Sequence, residues 1–297
     1  MTTYNKKPLP GVGYEYFDLD LQSMSNDEVR EFGKVLIEDN VILLRNQKLD
    51  DRDDIVRVAH AIGRTMQSDK FFNDDKHKGL GRVTNQRDEN GKKIGLFADK
   101  DLDWHSNGNN RDTGRECCVM LYCIRPGVNS ITSFADTRRA YQDLPNDIKE
   151  LLDDVDCNFK FKNNTFYHLD EGDQELEFFE NSNLYPEGLV KPLVYQHPFS
   201  KEKGLYFTFH SINKMWRRSG EPLDEAWLRQ YLYDHVFQDK YIYHHDSWQH
   251  GDMIFMDQFH SIHRRNEVQG DRFMWRLTVD YSKSLRHMLI EQRKQSE

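Results

Sequence analysis

The chain has 297 residues, 31% of them charged and 12% aromatic, with a formal net charge of −9. That length and aromatic content predict one packed domain over 1–297 rather than disorder. The acidic balance argues against a broad nucleic-acid or anionic-membrane surface, since both need a basic patch, yet a few local arginines can still receive a small anion.

The first ten residues, MTTYNKKPLP, lack the apolar core of a signal peptide, and no stretch approaches the ~18 apolar residues of a membrane span. Of the 4 cysteines, three share the apolar run CCVMLYC and none forms a CxxC pair. Buried free thiols in a reducing, cytoplasmic compartment are the expectation.

Along the chain, Ser25-Asn26-Asp27-Glu28 has the S-x-x-E pattern of a capping box and opens a helix with Val29, Phe32, Val35 and Leu36 on its apolar side. Val41–Leu44 reads as a short strand. Asp51 or Asp53 then caps a second helix, with Ile55, Val58, Ala59 and Ile62 inward and Gly63 as its stop. From 68 to about 100 the chain turns polar, and a long polar stretch in a compact domain predicts a lid. Strands follow at 117–124 and 131–134, then helical patches at 137–144 and 148–155. Residues 158–189, rich in Asn, Asp, Glu and aromatics, form a second expected lid. The last third alternates as strands do at 205–209, 253–256 and 275–281. No internal repeat or linker interrupts the pattern.

Two histidines stand out by context. His105 lies in LDWHSNGN after the first polar stretch, and His263 lies in GDMIFMDQFHSIH. A non-haem Fe(II) centre takes two imidazoles and normally one carboxylate on one face. An H-x-D pair at a strand end offers two ligands on the same side, because residues i and i+2 share a face. Arg272 and Arg276 are four apart on an expected strand and so also point one way. The plainer reading makes the histidines hydrogen-bonded core or surface residues, and lets both arginines bridge acidic side chains on a sheet surface.

The run GRVTNQRDENGKKIGLFADKDLDWHSN, the distal GDMIFMDQFHSIH, the closing MWRLTVDY, and the segments NVILLRNQKLD and PLVYQHPFSKEKGLYF together resemble the taurine dioxygenase and clavaminate-synthase-like oxygenases, roughly from Gly13 to Tyr281. The resemblance implies an α+β fold, a double-stranded β-helix (jelly roll) with flanking helices. It also implies Fe(II), 2-oxoglutarate and dioxygen as cofactors, and hydroxylation of a small anionic molecule such as an amino acid. Carried over residue by residue, it makes His105 and His263 metal ligands, with His260 as the rival distal ligand and Asp257 as a structural group. Thr132 and Arg272 hold the remote carboxylate of 2-oxoglutarate, and Arg276 faces the substrate.

One position departs from the pattern. Asn107 stands where the family's hydroxylases carry the ligand aspartate. An amide brings a neutral carbonyl instead of a charged carboxylate. Asn107 as a weaker ligand, a halide in its place as in related halogenases, and a catalytically inactive 2-oxoglutarate-binding protein are the three outcomes. Asp103, on the same strand parity as His105, is a further possible carboxylate.

Overall fold

Ser25 caps the helix Asn26–Gly33, its hydroxyl accepting from the Glu28 N–H while the Glu28 carboxylate accepts from the Ser25 N–H at 2.8 Å. The capping box is therefore closed in both directions. Ser25→Ala is expected to cost about 1 kcal/mol, read as a lower urea midpoint with an unchanged m-value. The helix is shorter than its apolar stripe predicts. It ends at Gly33, and a separate turn of helix, Leu36–Asp39, follows until Asn40 takes a left-handed conformation at φ 67°. Asp51 caps the helix Arg52–Ile62, which buries Ile55, Val58, Ala59 and Ile62 as expected.

The computed structural model describes residues 4–66, 73–95, 101–107, 118–160, 186–206, 208, 211–281 and 285. Among them an 8-stranded sheet forms the backbone of the fold. Its central members are Val41–Leu44, Met253–Asp257, Cys118–Val128 and Gln269–Asp280, all paired antiparallel. Alternate side chains divide between its two faces. Ile42, Leu44, Met120, Tyr122, Phe255, Trp275, Leu277 and Val279 pack against the two N-terminal helices. Val41, Leu43, Val119, Leu121, Cys123, Ile254, Met256 and Met274 face the other way and meet Phe134, Tyr243 and Trp248.

Those last three residues belong to, or lie just beyond, a 4-stranded sheet built from Leu102–His105, Thr132–Asp136, Ile242–His245 and Ser261–Arg265. Two sheets face to face around a shared interior make the jelly roll. Behind the smaller sheet, a second core holds Trp104, Ala135, Ile262 and the helix Glu225–Val236, an element that sequence patterning did not reveal.

The expected lids resolve differently. Within 68–100, residues Gly81–Thr84 form a strand paired with Phe273–Arg276, so that part is framework rather than lid. A turn at 88–91 is present, with the Gly91 N–H on the Asp88 carbonyl. Of 158–189, residues 161–185 lie outside the described residues; their flanks, Val155–Phe159 and Leu189–Pro192, pair antiparallel. Cys118, Cys123 and Cys157 are free and buried, while Cys117 lies outside the described residues. No helix among the described residues is long and apolar enough to cross a membrane.

Candidate active site

The interior face of the smaller sheet gathers His105, His263, Thr132 and Arg265. Strand pairing does this directly. His263 is the register partner of His105, and the same strand sets Arg265 opposite Thr132. The two imidazoles end 4.1 Å apart, centroid to centroid. His105 Nδ1 donates to the Asp103 carbonyl at 2.7 Å, which fixes the ring's orientation. His263 is half-buried, and its Nδ1 is enclosed without a hydrogen-bond partner.

Burial keeps both rings neutral. His105 is driven down to about 4, chiefly by desolvation, and His263 falls well below the usual imidazole range for the same reason, reinforced by His105 and Arg276. Uncharged imidazoles are the form that binds a divalent metal, and His263 Nδ1 has its lone pair to offer. The pair fits an iron centre on that ground.

Asn107 follows His105 in a turn just past the strand end. Its backbone N–H donates to Gln258 Oε1 at 2.9 Å, and its side-chain Nδ2 is enclosed without a partner. Among the described residues the arrangement offers an amide and no carboxylate. Asp103 is exposed, and its Oδ1 accepts from the Trp104 N–H at 2.7 Å, so it is turned to its own backbone.

From the larger sheet, Arg272, Met274 and Arg276 share the inward face of the last strand. Neither arginine lies on a solvated sheet surface: Arg272 is 2% exposed and Arg276 8%. The Arg272 Nε donates to Ser130 Oγ at 2.9 Å, whereas Nη1 has no partner. Burial pushes this guanidinium down to about 9, with Arg265 adding repulsion. A desolvated cation with an unspent donor is a site for a carboxylate. Arg276 acts electrostatically on both His105 and His263, which sets it beside the imidazole pair.

His260 and Asp257 lie elsewhere. With His197 they bring three donor atoms within 4.8 Å of one another. The His197 hydrogen bonds use the lone pair a metal would need, whereas His260 Nδ1 is enclosed without a partner. His197 Nδ1 accepts from the N–H groups of Phe199 and Ser200, so Nε2 carries the proton and donates to Asp257 Oδ2 at 3.0 Å. The His260 ring lies 4.8 Å from His197, and its Nε2 donates to the Glu202 carbonyl.

Three interior residues escaped the sequence reading. Arg265 was available from the two-residue spacing to His263. Ser130 and Trp248 touch Arg272 and Thr132 only through the folded sheets.

Residues 5–278 match the family model described as "Taurine catabolism dioxygenase TauD, TfdA family". The chain is 26% identical over 290 residues to the alpha-ketoglutarate-dependent 2,4-dichlorophenoxyacetate dioxygenase of Cupriavidus pinatubonensis, covering 92% of this chain and 95% of that protein. Pentalenolactone F synthase of Streptomyces avermitilis is 21% identical over 252 residues, covering 82% and 81%. The crystal structure of AAD-2 in complex with Mn(II) and N-oxalylglycine superposes with a TM-score of 0.71 at 20% identity, over 94% of this chain and 97% of that one.

Proposed function

Because the chain belongs to the TauD/TfdA family of dioxygenases, we propose that it hydroxylates a small acidic molecule, such as an amino acid, at the His105–His263 pair. It is an Fe(II)- and 2-oxoglutarate-dependent dioxygenase. When bound, these cofactors supply the oxidation, consuming dioxygen and releasing succinate and carbon dioxide as a substrate C–H bond becomes C–OH. The protein's part is to hold, orient and exclude water.

His105 and His263 hold the metal through neutral imidazoles, and the Asn107 amide is the third donor. Arg272 and Thr132 receive the remote carboxylate of 2-oxoglutarate. Arg276, beside the imidazoles, pairs with the acidic group of the substrate. The observation that carries this reading is Arg272: a buried guanidinium with an unpartnered Nη1, in the same interior as the two histidines. The acidic overall charge favours a small molecule over nucleic acid or an anionic membrane. Free buried thiols favour a reducing, cytoplasmic setting.

The test is anaerobic addition of Fe(II) and 2-oxoglutarate, followed by oxygen and a panel of amino acids, carboxylates and sulfonates. A visible charge-transfer band and substrate-stimulated succinate are expected. No band and no succinate would leave only a ligand-binding role, and a chlorinated product in chloride buffer would move the reading to halogenation. Restoring the charge at Asn107 has its own expectation. Asn107→Asp adds an anionic oxygen donor and tightens Fe(II) binding by about tenfold, measured by competition with a chromogenic chelator.

A further inference from the structure

Thr132 Oγ1 and Arg272 Nε each have one buried partner on the chain. The Trp248 indole N–H donates to Thr132 Oγ1 at 3.2 Å, and Arg272 Nε donates to Ser130 Oγ at 2.9 Å. Trp248, Ser130, Thr132 and Arg272 are all buried. An indole nitrogen is only a donor, while a hydroxyl has one proton and two lone pairs. With a lone pair of Thr132 occupied by Trp248, its O–H proton is left to point elsewhere. Ser130 is in the same state, since it accepts from Arg272. Arg272 Nη1 is likewise unspent.

Arg272 Nη1 has no partner among the described residues, the two hydroxyls each have a proton to give once they accept from Trp248 and Arg272, and an ionised carboxylate is the side group that only accepts. The Trp248 ring is itself held from behind. His245 meets it edge-on at 4.3 Å and 82°. His245 Nδ1 lies 2.7 Å from the Tyr243 hydroxyl, and its Nε2 lies 3.3 Å from Asp252, which Arg45 engages at 2.7 Å. Gly251, at φ 82° and with its carbonyl on the Gln47 N–H, makes the turn that returns the chain from Trp248 into the larger sheet. A side chain at Gly251 would also meet the Gln47 carbonyl oxygen at 2.7 Å.

We propose that Trp248 and Ser130 are positioning residues that fix the donor direction of Thr132 and Arg272, so that the pocket accepts the remote carboxylate of a 2-oxo diacid and disfavours a 2-oxo monoacid. This rests on the reading that Thr132 and Arg272 hold 2-oxoglutarate. Both residues act through another group rather than on the reacting atoms.

The experiment is calorimetric titration of the Mn(II)-loaded protein with 2-oxoglutarate and with 2-oxobutyrate, which shares the 2-oxo acid head and lacks the remote carboxylate. Trp248→Phe keeps the ring and removes the N–H. It is expected to weaken 2-oxoglutarate about tenfold while shifting 2-oxobutyrate by less than about twofold. Thr132→Val gives a similar shift, and the double variant is no weaker than Thr132→Val alone, because the two act as one unit. Ser130→Ala repeats the selective loss through Arg272 and serves if Trp248→Phe does not fold. An unchanged 2-oxoglutarate affinity in both Trp248→Phe and Ser130→Ala, or equal weakening of both ligands, overturns the proposal. A wild-type protein that binds both acids equally overturns the reading beneath it instead.

Discussion

Arg272→Met is expected to lower the affinity for 2-oxoglutarate by about 100-fold or more, and to raise the melting temperature of the ligand-free protein. The two effects have one cause. Arg272 is 2% exposed, donates through Nε to Ser130, and has no carboxylate partner among the described residues. Desolvation, with Arg265 second, brings its guanidinium down to about 9 from an ordinary 12.5. The sign follows from linkage. A base whose folded value lies below its unfolded value is destabilising when protonated, and at neutral pH that penalty is fully present. An apolar chain of similar length removes the penalty and forfeits one hydrogen bond, a net gain of about 1–2 kcal/mol. For a protein of this size that corresponds to a few degrees.

With the diacid bound, the balance reverses. Removing one member of a buried, hydrogen-bonded charge pair costs about 2–5 kcal/mol, which at about 1.4 kcal/mol per decade gives the stated loss. Titration of the metal-loaded protein reads the first effect and a thermal melt of the metal-free protein reads the second. Unaltered 2-oxoglutarate affinity would remove Arg272 from the co-substrate site. A lower melting temperature would mean that its aliphatic packing and its bond to Ser130 outweigh the cost of burying the charge.

Acidification of the metal-free protein is expected to erode stability between about pH 6.5 and 4, with His260 alone contributing about 3 kcal/mol. His260 is fully buried, and desolvation drives it from 6.5 to about 4, against the opposing pull of Asp257. Around it stand Asp257, His197 and Arg138, with its Nε2 on the Glu202 carbonyl. Its folded value lies below its unfolded value. The stability it contributes is therefore present above pH 6.5 and is lost as pH falls through the window. His245, also lowered first by desolvation, adds in the same direction. Urea midpoints measured at steps from pH 7 to 4 give the slope. His260→Gln keeps an amide donor for the Glu202 carbonyl and removes the titration, so its slope should be flatter. Parallel slopes for the two proteins would show that His260 is not what titrates.

Much of the framework was legible because its causes are local. The capping box at Ser25, the Asp51 cap and the alternation of 253–256 and 275–281 act over two to four residues, the range over which caps and pleats operate. The candidate iron and co-substrate residues were proposed from the order of short motifs, and the two-residue period turned Arg272 and Arg276 to one side, where both are buried. The long helix Glu225–Val236 was not, because its buried Leu228, Leu232 and Val236 are interleaved with exposed aromatics such as Trp227 and Tyr233, which blurs the stripe. The strand Gly81–Thr84 hid inside a polar stretch, since its burial comes from pairing with a strand some 190 residues later.

The sequence by itself determined which residues could do the chemistry: two histidines, an amide where a carboxylate is usual, and two arginines on one strand parity. Only the tertiary structure decided what surrounds them. Cross-strand register set His263 against His105 and Arg265 against Thr132, and the approach of the two sheets brought Ser130 to Arg272 and Trp248 to Thr132. Side-chain periodicity fixes the face on which a residue stands. Register between strands more than a hundred residues apart fixes what it meets there, and that depends on the packing of the whole interior.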